Sequence, residues 1–260
     1  MTDLPPPVAD VVARIGLPDA PVDSAPPRSG SGATTGELGL LLDWWLTVAP
    51  GPDRPLAVTQ VQPPTGGTGN DALASMMAGV SAADRAADAG ATLLVPGAPT
   101  ADPVPARAVI GLLARKEASL VTYQSPGMSD RQWMAECAAV RDAIASVGHL
   151  RADPLGLLDA LAAPELSFVV GVLIGSAARR TPCLIDGTGV LAAALVADRV
   201  AHRARGWWRV GSTSTDPARQ TAADRLDLPG GLPLGLADDV GMGAQATIRL
   251  LGLVTDDAGP

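Results

Sequence analysis

The chain has 260 residues, 47% of them hydrophobic, enough for one sizeable core in one large domain or one domain with a small appendage. A formal net charge of −8 argues against a nucleic-acid partner, which asks for a basic face. Lys116 is the only lysine among 19 basic residues, so a Schiff base or a lysine phosphate clamp has a single candidate.

The N-terminal stretch "PPPVADVVARIGLPDAP" predicts a short helix with Val8, Val11, Val12 and Ile15 on one face, within a helical segment over 1–19. The start "MTDLPPPVAD" has neither a basic nor an apolar run and is not expected to be a signal peptide. Residues 20–36, rich in Pro, Gly and Ser, read as a flexible linker. A helix is expected in "GELGLLLDWWLTVA", capped near Thr35, with Leu38, Leu41, Leu42, Trp45 and Val48 as its packing stripe.

From residue 55 onwards short apolar runs alternate with helical ones. "RPLAVTQV", "ATLLVPG" (91–97), "ASLVTYQ" (118–124), "TPCLIDG" (181–187) and "GWWRVG" (206–211) are predicted strands. Helices are predicted in "NDALASMMAGVSAADRAADAG", "PVPARAVIGLLAR", "SDRQWMAECAAVRDAIASVG", "DPLGLLDALAA", "PELSFVVGVLIGSAARR", "TGVLAAALVADRVAH" and "DPARQTAADRL". The first of these starts near Asn70 or Asp71. The alternation predicts an α/β fold, a parallel sheet flanked by helices in three layers, with a small helical subdomain from the terminal segments. Ligands of such sheets sit at the carboxyl ends of the strands, here the loops after residues 62, 96, 124, 186 and 211.

Cys137 falls in a helix and Cys183 in a strand, so both are expected as reduced core thiols, and no Cys/His cluster has metal-ligand spacing. The longest apolar run, "LSFVVGVLIGSAA" (166–178), is too short to span a bilayer, so no membrane partner is expected and the location read is cytoplasmic. "PPTGGTGND" (63–71) lacks the lysine of a P-loop and reads as an ordinary loop. The tryptophans of "GWWRV" could stack a planar base, but packing is the simpler role, and the pairs at 238–239 and 256–257 read as solvated turns. In "GLADDVGMGAQATIRLL" (235–251), Gly241 and Gly243 open an apolar helix, a turn that lets backbone N–H groups approach an anion.

The run "DPLGLLDALAAPELSFVVGVLIGSAARRTPCLIDGTGVLAAALVADRVAHRARGWWRVGSTSTDPARQTAADRLDL", continued by "GLADDVGMGAQATIRLL" and preceded by "MAECAAVRDAI" and "AADAGATLLVPG", resembles the nicotinate-nucleotide:dimethylbenzimidazole phosphoribosyltransferase family of cobalamin lower-ligand assembly. The resemblance covers roughly residues 76 to 252 and implies a phosphoribosyltransferase-like domain over 37–254 with a disordered tail over 255–260. It implies a reaction in which a carboxylate takes the azole proton while glycine-rich backbone, hydroxyls and a lysine hold a nucleotide phosphate. No cofactor is implied, and the implied partner is the chain's own copy in a homodimer or an intact paralogous phosphoribosyltransferase.

Carried over by position, the family's base falls on Val240, followed by the retained Gly241 and Gly243. Its phosphate loop falls on "TADPVP" (100–105), where Pro103 and Pro105 have no N–H to give, and its lysine falls on Glu136. Its basic pair is absent from "STSTDP" (212–217), which keeps Ser214, Asp216 and Pro217, and its base-pocket segment after the first strand has no counterpart. No catalytic residue is assigned. Asp238 and Asp239 are the fallback bases, and Gly97, Asp186, Gly187, Ser214, Gly241 and Gly243 are the ligand-binding candidates; no metal ligand is expected. The resulting expectation is a non-catalytic homologue, a partner or regulatory subunit linked to cobalamin biosynthesis. Two other readings stay open. One is an active phosphoribosyltransferase with a rewired site, using Asp238 or Asp239 as base and arginines such as Arg107 on the phosphate. The other is a binder of a nucleotide or corrinoid precursor through the retained glycines.

Overall fold

The computed structural model describes residues 4–18, 36–48, 55–64, 71–97, 102–228, 230–236 and 241–256. Thr35, Asp238, Asp239, Val240, most of "PPTGGTGND" and most of the 20–36 linker lie outside the described residues. The elements follow in chain order as α1 (Pro6–Ala13), α2 (Glu37–Val48), β1 (Val58–Val61), α3 (Ala72–Asp88), β2 (Leu93–Pro96), α4 (Pro103–Ala114), α5 (Asp130–Val147), α6 (Pro154–Ala160), α7 (Pro164–Ala178), β3 (Cys183–Ile185), α8 (Thr188–Val200), β4 (Trp208–Val210), α9 (Pro217–Leu226) and α10 (Met242–Asp256). The strands form a four-stranded parallel sheet in the order β1-β2-β3-β4. β2 and β3 are buried along their whole length, as the apolar runs that encode them require.

Local side chains cap five of the ten α-helices among the described residues. Asp71, Asp102, Ser129, Asp153 and Asp216 each accept a backbone N–H in the first turn of the helix they precede. Ser129 and Gln132 complete a capping box at α5. Four of these helices carry Asp-Pro or Ser-Asp at the boundary, a start signal that is readable from sequence.

Buried along its length from Leu166 to Ala177, α7 is apolar all round because it is a central core element. It lies against α3 at backbone distance, since a Cβ at Gly171 would stand 2.7 Å from the Met76 carbonyl carbon and one at Gly79 2.9 Å from the Val172 nitrogen. No helix among the described residues is long and apolar enough to cross a membrane. A second group of helices, α4, α8 and α9, pack against one another.

One predicted strand is not a strand. Residues 118–120 form a 3-10 turn, no strand is formed over 118–124, and β2 pairs directly with β3. The backbone there is held by side chains instead of a ladder. Arg107 Nη1 donates to the Val121 carbonyl at 2.6 Å, Trp133 Nε1 to the Thr122 carbonyl at 3.1 Å, and the Thr122 hydroxyl to the Ala118 carbonyl at 2.8 Å. Both tryptophans of "GWWRV" are buried and occupied: Trp207 Nε1 donates to the Gly16 carbonyl at 2.8 Å and Trp208 Nε1 to the Leu173 carbonyl at 3.3 Å. They pack, and offer no face for a base.

Candidate functional site

The carboxyl ends of β3 and β4 meet the first turns of α4, α8, α9 and α10, and charged side chains gather there out of water. Asp186, one residue beyond β3, is 3% exposed. It forms an ion pair with Arg219 of α9, and its Oδ1 accepts from the Ser212 hydroxyl at 3.0 Å. Its Oδ2 accepts the Ala244 backbone N–H at 2.9 Å, so Asp186 serves as the carboxylate on the first turn of α10. One N–H at the start of α10, that of Ala244, is thus taken by a carboxylate of the same chain. Gly243 must be glycine for this contact, because a Cβ would stand 2.6 Å from Asp186 Oδ2 and 2.9 Å from Ser212 Cβ.

A second network lies beside it. Asp216 caps α9 by accepting the Ala218 N–H at 2.8 Å. It also receives both ends of the Arg107 guanidinium, Nη1 to Oδ1 at 3.2 Å and Nη2 to Oδ2 at 3.0 Å, the bidentate fork of a strong ion pair. The Thr188 hydroxyl at the start of α8 donates to Oδ2 at 3.2 Å. On its far edge Arg107 Nε stands 3.2 Å from Glu136 Oε1 of α5. Arg107 and Asp216 are 5% and 1% exposed, so this is a pair held in low dielectric. Among the described residues no three His, Cys, Asp or Glu side chains converge as they would around a metal ion.

Each candidate residue from the sequence has a place. Asp186 and Gly243 touch, and Gly187 joins Asp186 to Thr188 with φ 93°, a backbone state that favours glycine. Gly241 sits at φ 73° and accepts the Gln245 N–H that begins α10. Ser214 shapes its own loop: its hydroxyl accepts the Asp216 N–H at 3.0 Å and its carbonyl accepts from Gln220 at 2.7 Å. Gly97, just beyond β2, lies under the Gln62 side-chain amide, and its N–H donates to the Val61 carbonyl at 2.8 Å. Asp238, Asp239 and Val240 fall outside the described residues.

Sequence reasoning missed Arg219 and the pairing of Arg107 with two carboxylates. A signal was present. An arginine in the first turns of a helix opposes the positive end of the helix dipole, so it requires a carboxylate nearby. Arg219 stands two residues after Pro217, and Arg107 in the second turn of α4.

The fold and the sequence have known relatives. A family model described as phosphoribosyltransferase matches residues 68–255. The nicotinate-nucleotide–dimethylbenzimidazole phosphoribosyltransferase of Streptomyces avermitilis is 41% identical over 182 residues, covering 69% of this chain and 48% of that protein. The protein of the same name from Corynebacterium efficiens is 35% identical over 190 residues, covering 73% of this chain and 52% of that protein. Among solved structures, CobT from Thermus thermophilus superposes with a TM-score of 0.63 at 28% identity, covering 70% of this chain and 55% of that one. The chain thus spans about half the length of the curated relatives it matches. With the same parallel α/β frame, and a family match across most of its residues, the chain belongs to the phosphoribosyltransferase family whose curated members act under the name nicotinate-nucleotide–dimethylbenzimidazole phosphoribosyltransferase.

Proposed function

We propose that this chain is a non-catalytic member of its family, retained as a partner or regulatory subunit in cobalamin biosynthesis. The observation behind the reading is the charge pairing at the strand ends. Arg107 is held by Asp216 and Glu136, Arg219 by Asp186, and the first turns of α9 and α10 hold Asp216 and Asp186. A nucleotide phosphate arriving there would meet carboxylates already in the positions it needs, and Glu136 would repel it. The sequence adds Val240 at the base position and the prolines of "TADPVP" at the phosphate loop.

The partner is a protein of the same family, a second copy or an intact paralogue. The outward side of α5 supports this. Met134 is exposed in a cleft of about 690 Å³ whose apolar side is Trp133, Cys137, Ala138 and Ile144 and whose rim carries Arg115, Lys116, Glu117 and Arg141. Contiguous exposed apolar surface of this kind marks interaction sites.

Isothermal titration with nicotinate mononucleotide tests the first half of the reading; no saturable heat is expected, and micromolar binding would overturn it. Light scattering after size exclusion tests the second. A dimer, alone or with an intact family member, that Met134→Glu dissolves is expected, and a monomer in both mixtures would overturn the partner role.

A further inference from the structure

The helices α4, α8 and α9 carry a second charged feature at their opposite ends. Their C-terminal turns surround a cavity of about 460 Å³ whose lining includes four arginines: Arg115 at the end of α4, Arg199 in the last turn of α8, Arg225 in the last turn of α9, and Arg151 beyond α5. Leu113 and Ala152 supply apolar lining between them. Arg199 stands eleven residues along α8 from Thr188, a rise of roughly 17 Å, so the cavity is distinct from the Asp186 and Asp216 networks.

Four cations around one cavity require compensation. One arginine per helix C-terminus is favourable, because the carbonyl end of the dipole is negative, and Arg151 Nη2 donates to the Leu113 carbonyl at 3.4 Å. That accounts for each arginine separately. It does not supply a full counter-charge for four together. Among the described residues none of the four takes part in an ion pair. Of the carboxylates closest in sequence, Asp198 holds His202 at 2.8 Å and Asp153 caps α6, while Glu117, Asp224 and Asp227 are exposed and form no ion pair with the four arginines. Burial first, and then the charges of Arg115, Arg199 and Arg225, hold the Arg151 guanidinium below the ordinary arginine value, which registers the repulsion inside the cluster. Arg115 is also held at φ 58°, a left-handed conformation that favours glycine or asparagine at a helix end. All this occurs in a chain whose net charge is −8.

We infer that this arginine cavity is a binding site for a small multiply charged phosphate compound, of the di- or triphosphate class, separate from the phosphoribosyltransferase-like site. The volume lies within the usual range for small-molecule clefts, and several guanidinium forks match several phosphate groups. Each helix contributes one fork from a rigid end, so the ligand would fasten the C-termini of α4, α8 and α9 together.

Inorganic tripolyphosphate is the probe, titrated calorimetrically into the full chain at an ionic strength matched with sodium chloride. Saturable binding of one molecule per chain is expected. Arg199→Gln should weaken it about tenfold, and Arg199→Gln with Arg225→Gln should remove measurable binding, since each lost charged hydrogen-bonding group is worth about that factor. Both side chains are exposed, so circular dichroism should show the variants folded. Arg141→Gln, at an exposed arginine paired with Asp142, should bind like the parent. No saturable heat from the parent, or equal affinity in the double variant, would overturn the site and leave the arginines as helix-end charges only.

Discussion

Arg107 shows what a single position decides in this protein. Its guanidinium is shared between Asp216, Glu136 and the Val121 carbonyl, with 5% of the residue exposed. Removing the cation would leave two carboxylates without a counter-charge, one of them 1% exposed. Arg107→Ala should therefore lower the free energy of unfolding by about 3–5 kcal/mol in urea titrations, as other broken buried pairs do. A loss under about 1 kcal/mol would mean that water screens the pair and that the site is more open than described. Cysteine chemistry offers a second residue-scale prediction. Cys183 is fully buried in β3, and burial pushes its thiol from 9.0 up to about 12, while Cys137 is half-buried on α5. A thiol reagent at pH 8 should label Cys137 in the folded protein and Cys183 only in denaturant. Because the folded value is raised, the protonated thiol's contribution to stability is complete below pH 9 and falls as pH rises through 12. Unfolding midpoints should show no Cys183-dependent change between about pH 7 and 8.5, and Cys183→Ser should flatten part of the fall above about pH 9.

At the scale of elements, what the sequence made legible follows the range of the forces involved. Caps, Asp-Pro starts and apolar runs act within a few residues, so α3, α4, α9, β2 and β3 could be read directly. "ASLVTYQ" could not, since its carbonyls are claimed by Arg107 and Trp133 from elsewhere in the chain, a tertiary decision that overrides strand propensity. The site residues divide in the same way. Asp186, Gly187 and Gly243 were visible as types at strand and helix ends, but their role was not, because the anion on the α10 turn comes from 58 residues away. Backbone-distance packing of α3 on α7 gives this scale its own prediction. Gly171→Ala places a methyl group against the Met76 carbonyl, which no rotamer change can relieve. A loss of about 3 kcal/mol or more is expected from thermal or urea unfolding. Gly148→Ala, where a Cβ meets nothing within 4 Å, should change stability little and controls for helix propensity. Equal effects of the two changes would mean that α3 and α7 sit further apart than described.

For the molecule as a whole, the question is whether the family frame still performs the family's transfer. If the charge pairing at the strand ends marks lost chemistry, purified protein supplied with nicotinate mononucleotide and dimethylbenzimidazole should form no ribazole phosphate above background. Val240→Glu should not restore it. A positioned base is worth about 10²–10⁴ in rate, but only on a substrate already held, and the phosphate would still face Glu136 and the prolines of "TADPVP". Groups that act as a unit are not repaired one at a time. Asp239→Ala separates this from the rewired enzyme: if Asp239 were the base, the parent would already turn over and this change would abolish it. Chromatography of the three reaction mixtures distinguishes the outcomes. Three blanks are expected, and product from the parent that disappears with Asp239→Ala would establish an active phosphoribosyltransferase instead. The arginine cavity is untouched by either result, because it stands at the other end of α4, α8 and α9 and needs only an anion.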